Sequence, residues 1–252
     1  MNGGKDFSDW SKKDDMLYQV LRIPVEAVLG KDGVGLADCA IAESKFEKGE
    51  DITHRMLSLV QRAGEIQRNG TPDIEFAVTG LLIRSQMASG RSDDAVRTME
   101  QLRTRFAENG LDRFLPNMDA MRCRMDLYVG DLDRADDWYR EKAPRDLMKL
   151  NVMKRYQYLT QAMVELAAGK NQDVLLTLSS LELYCRTCRR HLDSIHLLII
   201  RAIACWREKD KTWKTYLDEA LDIAEEYQFI RPVSGYGCLL YTSPSPRDKR
   251  QS

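Results

Sequence analysis

Apolar residues along this chain recur at steps of three and four, the spacing that keeps one face of an α-helix turned toward a core. After Gly49 the run is Ile52, Met56, Leu59, Ala63 and Ile66, and after Gly90 it is Ala95, Met99, Leu102 and Phe106. Val174, Leu178, Leu181, Cys185 and Cys188 continue the pattern, as do Trp213, Tyr216, Leu217, Ala220, Leu221 and Ala224 further on. The periodicity is helical, not that of strands, and predicts an all-α protein.

The helical stretches are punctuated at a fixed interval. Gly49, Gly90, Gly130 and Gly169 stand 41, 40 and 39 residues apart, and the polar pair Lys209-Asp210 follows 40 residues after Gly169. A glycine that closes an apolar-periodic stretch and precedes a polar or acidic residue marks one helix stop and the next helix start. A second mark, Asn69-Gly70 and Asn109-Gly110, recurs 40 residues apart and about half a period out of phase. Two turns in each period mean two helices per repeat. The spacing predicts helix pairs at about 36–68, 73–108, 112–143, 147–187 and 190–228. Thr71-Pro72-Asp73 supplies a capping hydroxyl and a proline at the first helical position, where its missing N–H is no loss. The boundary near Arg189, Arg190 and His191 is the weakest, because neither glycine nor proline separates the two helical patterns. Residues 1–35 form a less regular lead-in, partly helical over 14–28 despite Pro24, with a turn at Lys31-Asp32-Gly33.

A single amphipathic helix pair cannot bury its apolar stripe alone. Five pairs in series therefore predict a stacked, right-handed superhelix over residues 36–237, whose inner surface is the natural place to hold a partner.

Composition narrows the role of that surface. The 38 lysines and arginines are balanced by 39 aspartates and glutamates, a formal net charge of -1, so no charge excess equips the chain to grip nucleic acid or anionic lipid. The longest apolar run, around Ile195 to Trp206, is interrupted by His196 and Arg201 and falls short of a membrane span. The polar start, Met1 to Phe7, lacks the apolar segment of a secretory signal, so a cytoplasmic location with six free thiols is expected.

Chemistry-bearing motifs are few. Cys185-Arg186-Thr187-Cys188, with His191 and His196 nearby, is the only grouping with the look of a metal or redox site. It lacks a second ligand pair and the strand-to-helix context of a redox motif, while both cysteines extend a helical apolar stripe. Both are therefore expected to be buried in the core, without metal. His54 falls on a polar helix face. Leu29-Gly30-Lys31-Asp32-Gly33 lacks the spaced glycine and the hydroxyl of a phosphate-binding loop, and no nucleophile constellation is present. The basic residues Arg186, Arg189, Arg190, Lys209, Lys211 and Lys214 are interleaved with Glu182, Asp193, Glu208 and Asp210, as on solvated helix faces. No catalytic residue, cofactor site or metal site is assigned, and the chain is not expected to be an enzyme.

The segment Cys238 to Asp248, Cys-Leu-Leu-Tyr-Thr-Ser-Pro-Ser-Pro-Arg-Asp, resembles the translation of a sequencing-library adapter. Residues 238–252 are accordingly expected to be a non-native, disordered tail, with the natural gene continuing past Gly237. Without them 35 basic residues face 38 acidic ones, a net of -3.

Tyr156, Tyr158, Leu159, Thr160 and Ala162 through Glu165 to Gly169, then Val174, Leu175 and Leu178, and finally Leu217, Ala220, Leu221 and Ala224 leading to Tyr227, Arg231 and Pro232, resemble a known pattern. It is that of the tetratricopeptide-like sensor region of LuxR-type, maltose-regulator-like (MalT-like) transcription activators. The resemblance covers about residues 36–237. It implies a signal-sensing, protein-interaction module, with a small-molecule or protein inducer in the groove and self-association as a further partner reading. In that family an ATPase precedes the sensor and a helix-turn-helix DNA-binding domain follows it. This chain has neither a phosphate loop nor a DNA-reading helix, so ATP and DNA are expected as partners of the intact protein and not of this chain. The competing reading is a stand-alone tetratricopeptide scaffold that docks peptides or proteins.

Overall fold

The computed structural model describes residues 38–57, 72–146 and 150–236, and among them every regular element is helical. Helical stretches at 38–47 (α1) and 53–57 (α2) come first. They are followed by α3 (Pro72–Ala88), α4 (Ser92–Glu108), α5 (Leu115–Val129), α6 (Leu132–Lys142), α7 (Arg155–Ala167) and α8 (Asn171–Thr187). The chain then forms α9 (His191–Arg207), α10 (Trp213–Tyr227) and the single turn α11 (Arg231–Ser234). Short connections fold α3 on α4, α5 on α6, α7 on α8 and α9 on α10 as helical hairpins, and the first helices α5, α7 and α9 pack on one another in turn. This is an all-α, tetratricopeptide-like repeat.

The turns explain the forty-residue period. Gly49, Gly90, Gly130 and Gly169 have φ of 93°, 73°, 81° and 73°, the left-handed region that glycine enters without a Cβ clash. In each case the next residue's N–H returns to the carbonyl five positions back: Glu50 to Lys45 at 3.1 Å, Arg91 to Gln86 at 2.9 Å, Asp131 to Asp126 at 2.9 Å and Lys170 to Glu165 at 2.8 Å. That closure satisfies carbonyls left open at the helix end. Lys209, the non-glycine member of the series, adopts the same geometry with φ 59°, and Asp210 N–H reaches Cys205 O at 2.9 Å. The half-period turns repeat it at Gly110 (φ 66°), Arg189 (φ 49°) and Gln228 (φ 58°). The weak boundary at Arg189 is thus a true helix end, made by an arginine in a glycine's conformation. Pair α5/α6 ends differently: Pro144 holds Ala143 extended (φ −61°, ψ 146°) and stops α6.

The predicted stripes are buried in α4 (Ala95, Met99, Leu102, Phe106) and in α8 as far as Cys185. Two expectations are corrected. Cys188 is exposed, because α8 ends at Thr187 and the left-handed turn at Arg189 carries the chain off the stripe. In α10 only Ala220 and Ala224 are buried, while Leu221 is 42% exposed, so this last long helix covers the core with a narrow face. Helix α9 is the opposite case. Packed against α7, α8, α10 and α11, it buries Ile195, Leu197 to Ile200 and Ala202 to Cys205. Ile52 and Met56 of α2 are buried as expected. Leu59, Ala63, Ile66, the Asn69-Gly70 turn, Thr71, the lead-in and the adapter-like tail lie outside the described residues.

Candidate functional site

The last described segment folds back onto the first. Ile230 N–H donates to Glu47 O at 2.8 Å, and the Arg231 guanidinium donates through Nε to Phe46 O at 2.6 Å and through Nη2 to Gly49 O at 3.3 Å. Arg231 also lies over the Phe46 ring, 4.4 Å from its centroid. These carbonyls belong to the C-terminal end of α1, where a helix presents partial negative charge to a cation. The contact joins residues more than 180 positions apart and clasps the first and last described helices together.

The clasp encloses a concave chamber of about 380 Å³. The first helix of each successive pair faces it: Phe46 and Glu47 from α1, Ile83, Arg84 and Met87 from α3, Met121, Arg124 and Met125 from α5, Tyr156 from α7 and His196 from α9. Pro232 of α11 and Gly235 just after it complete the wall. The volume falls in the range of small-ligand sites, about 300 to 1,000 Å³.

Polar groups in the wall are held by their neighbours. Arg84 pairs with Glu43 at 2.9 Å and with Glu47, whose side chain is almost wholly buried. Burial pushes the Glu47 carboxyl above its ordinary range, against the pull of Arg84. Arg124 stacks on Tyr156, 3.7 Å from the ring centroid, and donates from Nε to Thr160 Oγ1 at 2.7 Å and from Nη2 to Tyr156 O at 3.1 Å. His196 Nδ1 and Tyr236 Oη share a hydrogen bond of 2.8 Å. Burial, with Arg124 and Arg84 adding repulsion, holds the His196 imidazole down at about 3, so it is neutral at physiological pH. Burial likewise raises the Tyr236 phenol.

The motifs singled out in the sequence lie elsewhere. Cys185 is buried, with burial pushing its thiol up to about 11, and Cys188 is exposed at the end of the same helix. His191 stacks on Tyr227 with centroids 4.6 Å apart, and His54 is exposed. Within the basic series, Arg186 pairs with Glu182 and Glu219, and Arg190 with Asp193, away from the chamber. Of the chamber arginines, Arg231 belongs to the family-like pattern in the sequence, while Arg84 and Arg124 were not singled out, although one signal was present. Arg84 and Arg124 are one period apart, and so are Tyr156, His196 and Tyr236 in succession. Forty-residue spacing therefore repeats polar positions on the inner face as it repeats turns.

A helical-hairpin array with a ligand-sized chamber on its inner face defines a tetratricopeptide-like interaction region. The chain belongs to the MalT-like TPR region family, whose match spans residues 54–236. No curated protein and no solved structure gives a significant match. No helix among the described residues is long and apolar enough to cross a membrane.

Proposed function

We propose that this chain is the sensing module of a cytoplasmic, LuxR-type, ATP-dependent transcription regulator, and that the inducer enters the chamber on the concave face. The observation that carries this reading is the chamber itself, built jointly by the inner helices and walled by the segment that leaves the last hairpin. A ligand there touches several repeats and the clasp at once, so its binding energy acts on the relative placement of the hairpins. The family supplies the regulatory context: an ATPase before the sensor and a DNA-reading domain after it. On its own the chain neither hydrolyses ATP nor binds duplex DNA specifically, because it offers no phosphate loop and no excess of positive charge.

The test uses the intact regulator recovered from the genomic locus. An inducer that promotes ATP-dependent self-association and promoter binding should cease to act when Ala88, an exposed residue at the chamber wall, is replaced by tryptophan. An unchanged response in Ala88→Trp would place the inducer elsewhere. A reading frame with no ATPase or DNA-binding domain would instead favour the stand-alone scaffold.

A further inference from the structure

We propose that the chamber takes a small organic carboxylate with an apolar body, its carboxylate seated on the Arg124 guanidinium; this rests on the chamber being the sensing site. Three guanidiniums, Arg84, Arg124 and Arg231, line the space against one carboxylate, Glu47. Two of the three are already engaged. Arg84 is committed to Glu43 and Glu47, and Arg231 to the carbonyls at the end of α1. Arg124 differs. Its hydrogen bonds go to the neutral oxygens of Thr160 and Tyr156, and among the described residues it has no carboxylate partner. An arginine carries five N–H donors, so those two bonds leave three, including both on Nη1. The stack on Tyr156 and the bond from Nε fix the plane of the guanidinium before any ligand arrives. A planar donor fork held in place matches the two oxygens of a carboxylate, and little ordering entropy is spent on binding.

The remaining wall sets the body of the ligand. Ile83, Met87, Met121 and Met125 are buried apolar residues facing the space, three of them flexible thioethers that adapt to an irregular hydrocarbon. At about 30 Å³ per water-sized group, the chamber has room for about a dozen heavy atoms. That is the size of a free acid, not of a folded partner. The neutral His196 imidazole adds no competing positive charge, and the Glu47 carboxylate is compensated by Arg84.

The experiment measures binding of octanoate and 3-phenylpropionate to the full chain, each compared with the corresponding alcohol, by calorimetry. It is repeated on Arg124→Gln, Arg124→Lys and Ala88→Trp. Imidazole NMR reports location, since the chain has only three histidines, His54, His191 and His196. The acids should bind at least tenfold tighter than the alcohols and shift the His196 signals while leaving His54 unmoved. Arg124→Gln should remove the preference for the acid, Arg124→Lys should restore it in part, and Ala88→Trp should abolish binding of both. Equal affinity for acid and alcohol, unaffected by Arg124→Gln but lost in Ala88→Trp, would overturn the carboxylate assignment and leave the sensing chamber standing. Acid binding that survives Ala88→Trp, or fails to move His196, would overturn both. Should Arg124→Gln unfold the chain, acid binding by Arg124→Lys at the alcohol's affinity would overturn the assignment equally well.

Discussion

Replacing Gly130 by alanine isolates the backbone energy stored in the repeat turns. Gly130 closes α5 with φ 81°, and a Cβ built there meets no heavy atom within 4 Å. Steric contact therefore contributes nothing. What remains is the left-handed conformation itself, which costs an L-residue about 1 to 2 kcal/mol. The loss of unfolded-state freedom on going from glycine to alanine returns about 0.4 to 1 kcal/mol. A net destabilisation of about 1 kcal/mol is expected, or about 2 to 4 °C in the midpoint of a domain this size. Lys209→Gly runs the same calculation with the opposite sign, because lysine already occupies the conformation, with φ 59°. It should stabilise by about 0.5 to 1 kcal/mol. Gly80→Ala serves as the contrast: this glycine lies within α3 and an added Cβ meets Met121 Cε at 3.0 Å, the end of a flexible side chain. There the gain in helix propensity, about 1 kcal/mol, opposes a small adjustment of Met121. Urea denaturation followed by far-ultraviolet circular dichroism gives all three values. If Gly130→Ala is neutral while Lys209→Gly destabilises, the turns are not the left-handed closures that set the period.

Truncating Arg84 to methionine leaves the buried Glu47 without its main compensating charge, and should cost about 2 to 3 kcal/mol, somewhat below a fully buried pair because Arg84 is partly exposed; urea midpoints measure it. Glu165, bonded to Gln161 Nε2 at 2.8 Å and Thr177 Oγ1 at 3.2 Å, has its carboxyl raised above the ordinary value by burial. The folded state then holds that proton more tightly than the unfolded one. This contribution to stability is present below the ordinary carboxylate pKa and is lost as pH rises through the raised one. Glu165→Gln should flatten the fall in stability as pH rises above the ordinary carboxylate range in paired denaturation curves, and an undiminished slope would assign it to other groups. In a Cys238→Ser background, one thiol, Cys188, should react rapidly with a disulfide reagent, while Cys39, Cys123 and Cys185 lag, being buried with thiols pushed up to about 12, 12 and 11.

The parts of the fold legible in the sequence were those encoded locally. A glycine in a left-handed turn leaves the same mark wherever it occurs, so the hairpins from α3 onward were placed to within a few residues except at the start of α7, expected near 147 and found at Arg155, where no such glycine stands. Cys188 and Leu221 were misplaced because a three-four stripe does not reveal where its helix ends or how broad a face its neighbours cover. The chamber was less legible. Its period-forty polar pairs, Arg84 with Arg124 and Tyr156 with His196, are visible in the sequence, but only once the inner helix of each pair is known. The clasp between Arg231 and α1 was not legible at all. It depends on the accumulated curvature of several hairpins, and no local pattern states that sum.

That clasp changes how the array behaves as a polymer. An open solenoid is a one-dimensional chain of units, each coupled to its neighbours, whose terminal units have one interface fewer and fray first. Where Ile230 and Arg231 bond the carbonyl end of α1, the outermost units gain the interface they would otherwise lack, and the chain becomes a loop in the statistical sense. Opening one of the joined units then breaks two interfaces, where a free terminal unit would break one, and this sharpens the unfolding transition. Between the two joined faces the number of hairpins is constrained by closure, because one fewer or one more there would carry Arg231 away from the carbonyls of Phe46 and Gly49. Repeat proteins of the open kind lengthen and shorten readily in evolution. A closed one is held to its count.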